Sequence, residues 1–257
     1  MDTATFKLVA IGLIFLVGMA GGLAALGAAR SRAGEIFLAL GSALAAGVFL
    51  GAALVHLLPD SNEALTGYFA GLVFPLSFLL TAVGFLFILY LEKILLGGRH
   101  DHDAPQLGRG LSSYALAIVL SVHSVLTGAA LGSENTLAGS AVILLAVVAH
   151  KGAAGFALVV DFQRAGFPRR EVLVLLTLFS VMTPLGVVFG AVLDHFLEAI
   201  YGRLFEGTFD ALAAGTFLYI AVLEILAKEF AARERLVAKF AFVSLGLCVM
   251  ALIALWV

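Results

Sequence analysis

Eight apolar runs, each about the length of a membrane crossing, leave this chain few folds to choose from: about 6–28, 34–58, 68–92, 111–133, 137–160, 171–193, 208–228 and 238–257. A hydrocarbon core takes about 20 consecutive apolar residues in helical form. In that environment every backbone N–H and C=O must be satisfied within the chain, so continuous runs of this length read as helices. The gaps are short, so residues 1–257 read as a single eight-helix, all-α integral membrane domain with an inner loop at about 93–110. The composition agrees: 62% of the residues are hydrophobic and 12% charged, against roughly 45–50% and 25% for soluble domains.

Lysine and arginine set the orientation, because cytoplasmic loops carry the excess of positive charge. Arg30 and Arg32, then Lys93, Arg99 and Arg109, then Arg164, Arg169 and Arg170, then Lys228, Arg233, Arg235 and Lys239 fall on alternate loops. That places twelve of the fifteen basic residues on one side; Lys7, Lys151 and Arg203 are the remainder. The opposite loops carry Asp60, Glu63, Glu134, Asp194, Glu198, Glu206 and Asp210. Both termini are therefore expected outside, in a protein of the cell (inner) membrane. Asp2 against Lys7 makes a poor signal-peptide start, and the first run is expected to be retained. The one cysteine, Cys248, excludes an intrachain disulfide, and the chain has no cysteine metal knuckle. No basic patch interleaved with aromatics is present, so nucleic acid is not an expected partner.

Pro75 and Pro184 fall inside apolar runs, where each frees a carbonyl and invites a kink. Thr183-Pro184 is open to two readings, ordinary helix irregularity or an opening beside a site. Gly128 and Gly132, four apart, are read as a close-packing seam. Residues 194–207 are expected to form an amphipathic stretch at the interface. His100-Asp101-His102-Asp103 is weakly suited to a borderline cation and equally to a solvated loop.

The polar residues at depth carry the chemistry. His123 and His150 sit near the middle of consecutive antiparallel runs, where a polar side chain is expensive and by default faces a bundle interior or a pathway. Thr127 lies one turn from His123 on the same helical face, with Ser124 one step round. Neutral imidazole is a common ligand for Zn, Cu, Ni and Fe. One such histidine reads as a structural hydrogen bonder; two at matched depth, beside Ser124, Thr127 and Lys151, read as a metal site. Lys151 is an ammonium in low dielectric, with Glu224 in run 7 the clearest carboxylate at depth. His56, at the outer end of run 2, reads as an interfacial residue on its own.

Together these stretches resemble the ZIP (zinc/iron-regulated transporter-like) family. His123-Ser124 through Gly128-Ala129-Ala130-Leu131-Gly132 is similar to its fourth helix, and His150-Lys151 with the small residues after it to its fifth. Gly47-Val48-Phe49-Leu50 through His56-Leu57-Leu58-Pro59 is similar to its second, Thr183-Pro184-Leu185-Gly186 to its sixth, and Ala214-Gly215-Thr216-Phe217-Leu218-Tyr219-Ile220 through Glu224-Ile225-Leu226 to its seventh. The resemblance implies import of Zn²⁺ or another divalent first-row metal through a site on helices 4 and 5. It also implies two bundles moving against each other, often in a homodimer. The metal-site residues it points to are His123, His150, Ser124, Thr127, Lys151, Glu224 and His56, with the metal as substrate and no cofactor. The chain departs from the family pattern at Thr127, where glutamate is usual, and at Lys151 and Ala154, where one branch has carboxylates. At most one metal is expected there. Two alternatives stay open: a ZIP-like metal sensor or partner without transport, and an intramembrane metal-dependent hydrolase. Against the hydrolase, the chain has no His-Glu-x-x-His and no Gly-x-Ser-x-Gly.

Overall fold

The computed structural model of the chain describes residues 2–28, 32–71, 73–95, 107–193 and 199–256. Arg30, Arg99, the His100–Asp103 tract and residues 194–198 lie outside the described residues. Eight helical rods are present among them: α1 (Thr3–Gly27), α2 (Arg32–Tyr68), α3 (residues 76–95), α4 (Leu107–Ser133), α5 (Leu137–Ala165), α6 (Arg169–Leu193), α7 (residues 199–231) and α8 (Leu236–Ile253). No strand occurs among the described residues, and eight helices are long and apolar enough to cross a membrane. The protein is an all-α integral membrane protein.

Several boundaries differ from the sequence reading, each for a local reason. Run 2 does not stop at Leu58. The helix widens into a π turn at Ala52–Leu57, in which Leu58 N–H bonds the Ala53 carbonyl five residues back. That shift lets the helix continue past Pro59, which has no N–H to give, as far as Tyr68. Run 3 starts later than expected. Pro75 is not a kink inside a helix; it precedes Leu76 as its cap, at φ −76° and ψ 69°, where a missing donor costs nothing. Residues 199–207, expected at the interface, form the first turns of α7, and Ser61 Oγ donates to the Gly207 carbonyl at 2.6 Å. Helix α5 runs to Ala165 and closes on Gly166, whose φ of 85° is the left-handed conformation that glycine adopts without strain.

The rods sort into two bundles by how closely their backbones approach. In the first, α1 packs on α5 and α4 on α6; in the second, α2 packs on α8 and α3 on α7. Glycine makes each of these four seams. A Cβ on Gly128 would lie 2.2 Å from the Thr183 carbonyl oxygen, and one on Gly186 2.1 Å from that of Val125, so α4 and α6 touch main chain to main chain. Gly21 meets Gly152, Gly47 meets Val243 and Gly215 meets Thr81 in the same way. Lipid supplies no hydrophobic drive between helices, and close packing of small residues takes its place. The boundary between the bundles is built differently. There α2 meets α5 through side chains: Gly41 faces the Phe156 ring, and Phe37 packs edge-on against Phe156 at 5.8 Å.

Candidate functional site

His123 lies on the buried face of α4 with Leu120, Ser124 and Leu131. His150 shares the buried face of α5 with Ala146, Val147, Lys151 and Ala154. The two imidazoles are 5% and 3% exposed, and their ring centroids are 5.7 Å apart. The helices predicted to carry a shared site therefore do bring these two rings together.

Thr127 completes this corner. Its Oγ1 stands 2.9 Å from the His123 carbonyl oxygen and 3.2 Å from His123 Nε2. A hydroxyl has one proton to donate. With that proton on the carbonyl, Thr127 Oγ1 accepts from Nε2–H, which assigns the lone pair of His123 to Nδ1. The Nδ1 atom of His150 is buried with no directed hydrogen bond. The Ala146 carbonyl, one turn back on α5, still interacts with this ring, so the meeting of two buried imidazoles, more than a vacant nitrogen, marks the place where a ligand fits.

Ser124 and Lys151 form a separate cluster. The Lys151 ammonium donates to Ser124 Oγ at 2.9 Å and to the Phe179 carbonyl at 3.1 Å, and sits 3.6 Å from the Phe179 ring centroid. Among the described residues it has no carboxylate partner; a hydroxyl, a carbonyl and a ring face hold the charge. Thr183-Pro184 lies inside a continuous α6, against Gly128 on the α4 turn beyond Thr127.

His56 stands across the boundary, in the second bundle. It stands on the π turn of α2, its Nδ1 2.8 Å from Asp60 Oδ2 one turn on. The contact is close without being aligned for a directed hydrogen bond. Glu224 lies on the π turn of α7 and pairs with Lys228. It lines a narrow cleft together with Glu92, Asp161, Leu116, Tyr219 and Ile220. Tyr219 Oη donates to Glu92 Oε2 at 2.7 Å. Among the described residues no three His, Cys, Asp or Glu side chains converge to hold a metal. The structure thus joins His123, His150 and Thr127, sets Ser124 on Lys151, and leaves His56 and Glu224 apart from them.

Three further residues belong to this region. Phe217, 1% exposed on α7, packs against both imidazoles, with centroids 4.7 Å from His123 and 6.0 Å from His150. It comes from the second bundle and walls the pair off. Asp161 fell one residue past run 5, which was ended at 160, and Glu92 was the last residue of run 3; the helices continue past both.

The chain matches the profile of the family described as ZIP Zinc transporter over residues 4–102 and 96–254. It is 31% identical to the human protein named Zinc transporter ZIP2, over 86% of this chain and 86% of the relative. It is 32% identical to mouse Zinc transporter ZIP1, over 81% of this chain and 75% of the relative. A rice protein (Oryza sativa subsp. japonica) named Zinc transporter 1 is 29% identical over 88% of this chain and 76% of its own length. An eight-helix membrane fold, two buried histidines on consecutive helices, and this extent of match place the chain in the ZIP zinc transporter family, a family of transporters and not of enzymes.

Proposed function

We propose that this protein moves a divalent transition-metal ion, Zn²⁺ foremost, across the membrane toward the cytoplasm through His123 and His150. The observation that carries the reading is the pair of buried imidazoles 5.7 Å apart at the boundary between two bundles. Neutral imidazole suits a borderline dication. Thr127, one turn from His123, offers its oxygen at the same corner. The kinship with proteins named zinc transporters supports the choice of metal.

One ion is bound at a time. When protonated, Lys151 places a positive charge next to Ser124, where a second cation would be repelled. Ser124 acts mainly by holding that ammonium. The cleft with Glu224, Glu92 and Asp161 opens at the end of the molecule that bears the basic loops, which the charge bias assigns to the cytoplasm. It fits a release path in which Glu224 meets the ion after the histidines. His56, beside Asp60 on the π turn of α2, fits an approach from the other end.

Uptake of Zn²⁺ into proteoliposomes tests this. His123→Ala and His150→Ala are each expected to abolish saturable uptake while keeping the melting profile of the parent protein. Parental uptake by both single variants would make the histidines structural and end the proposal. Zinc binding without uptake in the parent protein would favour the sensor reading.

A further inference from the structure

At the basic end, the described residues hold one ion pair that crosses between the bundles. Arg164, on the last turn of α5 in the first bundle, donates from Nη2 to Glu229 Oε1 near the end of α7 in the second. The other ion pairs of the described residues stay inside the second bundle: His56 with Asp60, Lys93 with Glu92, Lys228 with Glu224 and Lys239 with Glu229. The crossing pair also lies where the boundary is otherwise made of side-chain packing and not of glycine seams.

We infer that Arg164, Glu229 and Lys239 form a latch that holds the two bundles in the conformation described and opens in each transport cycle. The inference rests on the proposed transport function. Its asymmetry is what distinguishes a latch from a fixed strut. The Glu229 side chain is 4% exposed and that of Arg164 46% exposed. Arg164 therefore reaches in from water and returns to it at little desolvation cost. Glu229 does not lose all compensation when Arg164 leaves, because Lys239 stays with it. The Lys239 ammonium lies 3.1 Å from Glu229 Oε2 and also donates to the Glu229 carbonyl. Lys239 is itself buried, and it sits on α8, next to α7 in the same bundle. A buried carboxylate stranded without a cation is strongly destabilising; here the resident lysine removes that obstacle, so the pair breaks and reforms reversibly. A fixed strut would bury both partners and would leave no second cation in reserve.

The test uses full-length protein with Cys248→Ser, carrying Arg164→Cys and Glu229→Cys together, reconstituted in proteoliposomes. A short bis-methanethiosulfonate linker is expected to join the two cysteines and cut Zn²⁺ uptake at least tenfold, with dithiothreitol restoring it. Separately, Arg164→Gln is expected to change the maximal uptake rate at least threefold with the apparent KM for Zn²⁺ unchanged, and Arg164→Lys to restore the parental rate. Failure of the cysteines to cross-link overturns the contact. Parental uptake by the cross-linked protein, or a parental maximal rate in Arg164→Gln, overturns the latch. Absence of uptake in the parent protein, with the cross-link still forming, strikes the transport reading on which the latch rests.

Discussion

Thr127→Glu puts a carboxylate where the family usually has one, and the structure fixes what it must compete with. Thr127 Oγ1 is 3.2 Å from His123 Nε2, so a glutamate carboxylate, two bonds longer, reaches past the Nε2–H edge of the ring toward an ion held through Nδ1. A unit charge about 4 Å from a dication attracts it by roughly 8 kcal/mol at an effective dielectric near 20. Desolvating the carboxylate takes back several kcal/mol. The two Thr127 hydroxyl contacts are lost as well, at about 1 kcal/mol for a neutral hydrogen bond. A second cation also draws on the new charge. Lys151 Nζ is 2.9 Å from Ser124 Oγ, one helical turn from Thr127, and an ammonium about 6 Å from the carboxylate attracts it by roughly 3 kcal/mol. The dication still has the larger pull. A net gain of about 1.4 kcal/mol is a tenfold gain in affinity. Isothermal titration of purified protein with Zn²⁺ is expected to show at least that for Thr127→Glu, and a further gain when Lys151→Met removes the competitor. Turnover is expected to fall, because a deeper well releases its ion more slowly. Unchanged or weaker Zn²⁺ binding in both folded variants would mean that Thr127 does not face the metal, and the single-site scheme would fail.

Lys151→Met alone keeps the volume and removes an ammonium that has no carboxylate partner among the described residues; its thermal midpoint in detergent is expected to stay level or rise, since replacing a buried charge by an apolar side chain is often neutral or stabilising. A clear loss of stability would show that the ammonium is structural. Gly128→Ala forces a Cβ to within 2.2 Å of the Thr183 carbonyl, so the folded yield is expected to drop by an amount corresponding to about 1–3 kcal/mol of overpacking; Gly12→Ala, which meets nothing within 4 Å, is the control expected to be neutral. In a Cys248→Ser background, a cysteine at Arg235 is expected to react with impermeant reagent only from the cytoplasm and one at Glu63 only from outside; labelling of Arg235→Cys from outside would invert the orientation.

Helix number and order were legible because spanning a bilayer demands long apolar runs, and no tertiary context can cancel that demand. Helix ends were less legible, for a physical reason. Apolarity marks the hydrocarbon boundary, whereas a helix ends where its hydrogen bonds do. The two differ wherever a helix leaves the membrane still intact, as α2 does through Pro59 and α5 does past Val160. Asp161 was missed in just that gap. The meeting of His123 and His150 followed from depth and antiparallel order. Phe217 did not, because an apolar ring on an apolar helix has no local signal; only its position opposite both imidazoles distinguishes it. The commitment of Ser124 to Lys151 was hidden in the same way, since it depends on the rotation of α5 against α4.

The location of these groups has a mechanical consequence. His123, His150, Thr127, Ser124 and Lys151 all belong to the first bundle, and the second bundle meets the imidazoles through an apolar ring. On the proposed reading, an ion held by the histidines travels with α4 and α5, and relative motion of the bundles breaks no polar bond to the rings. The second bundle does supply carboxylates, Glu92 and Glu224, but at the basic end and beside Asp161 of the first. On the proposed reading, leaving the histidines exchanges neutral nitrogen donors near Lys151 for carboxylate oxygens, two of which also pair with Lys93 and Lys228. Both changes favour the ion's departure from the buried pair: Lys151 raises the local potential it leaves, and the carboxylates lower the one it enters. On that reading, a site lacking its own carboxylate holds a dication weakly, and the electrostatic slope, more than tight coordination, would give the ion its direction.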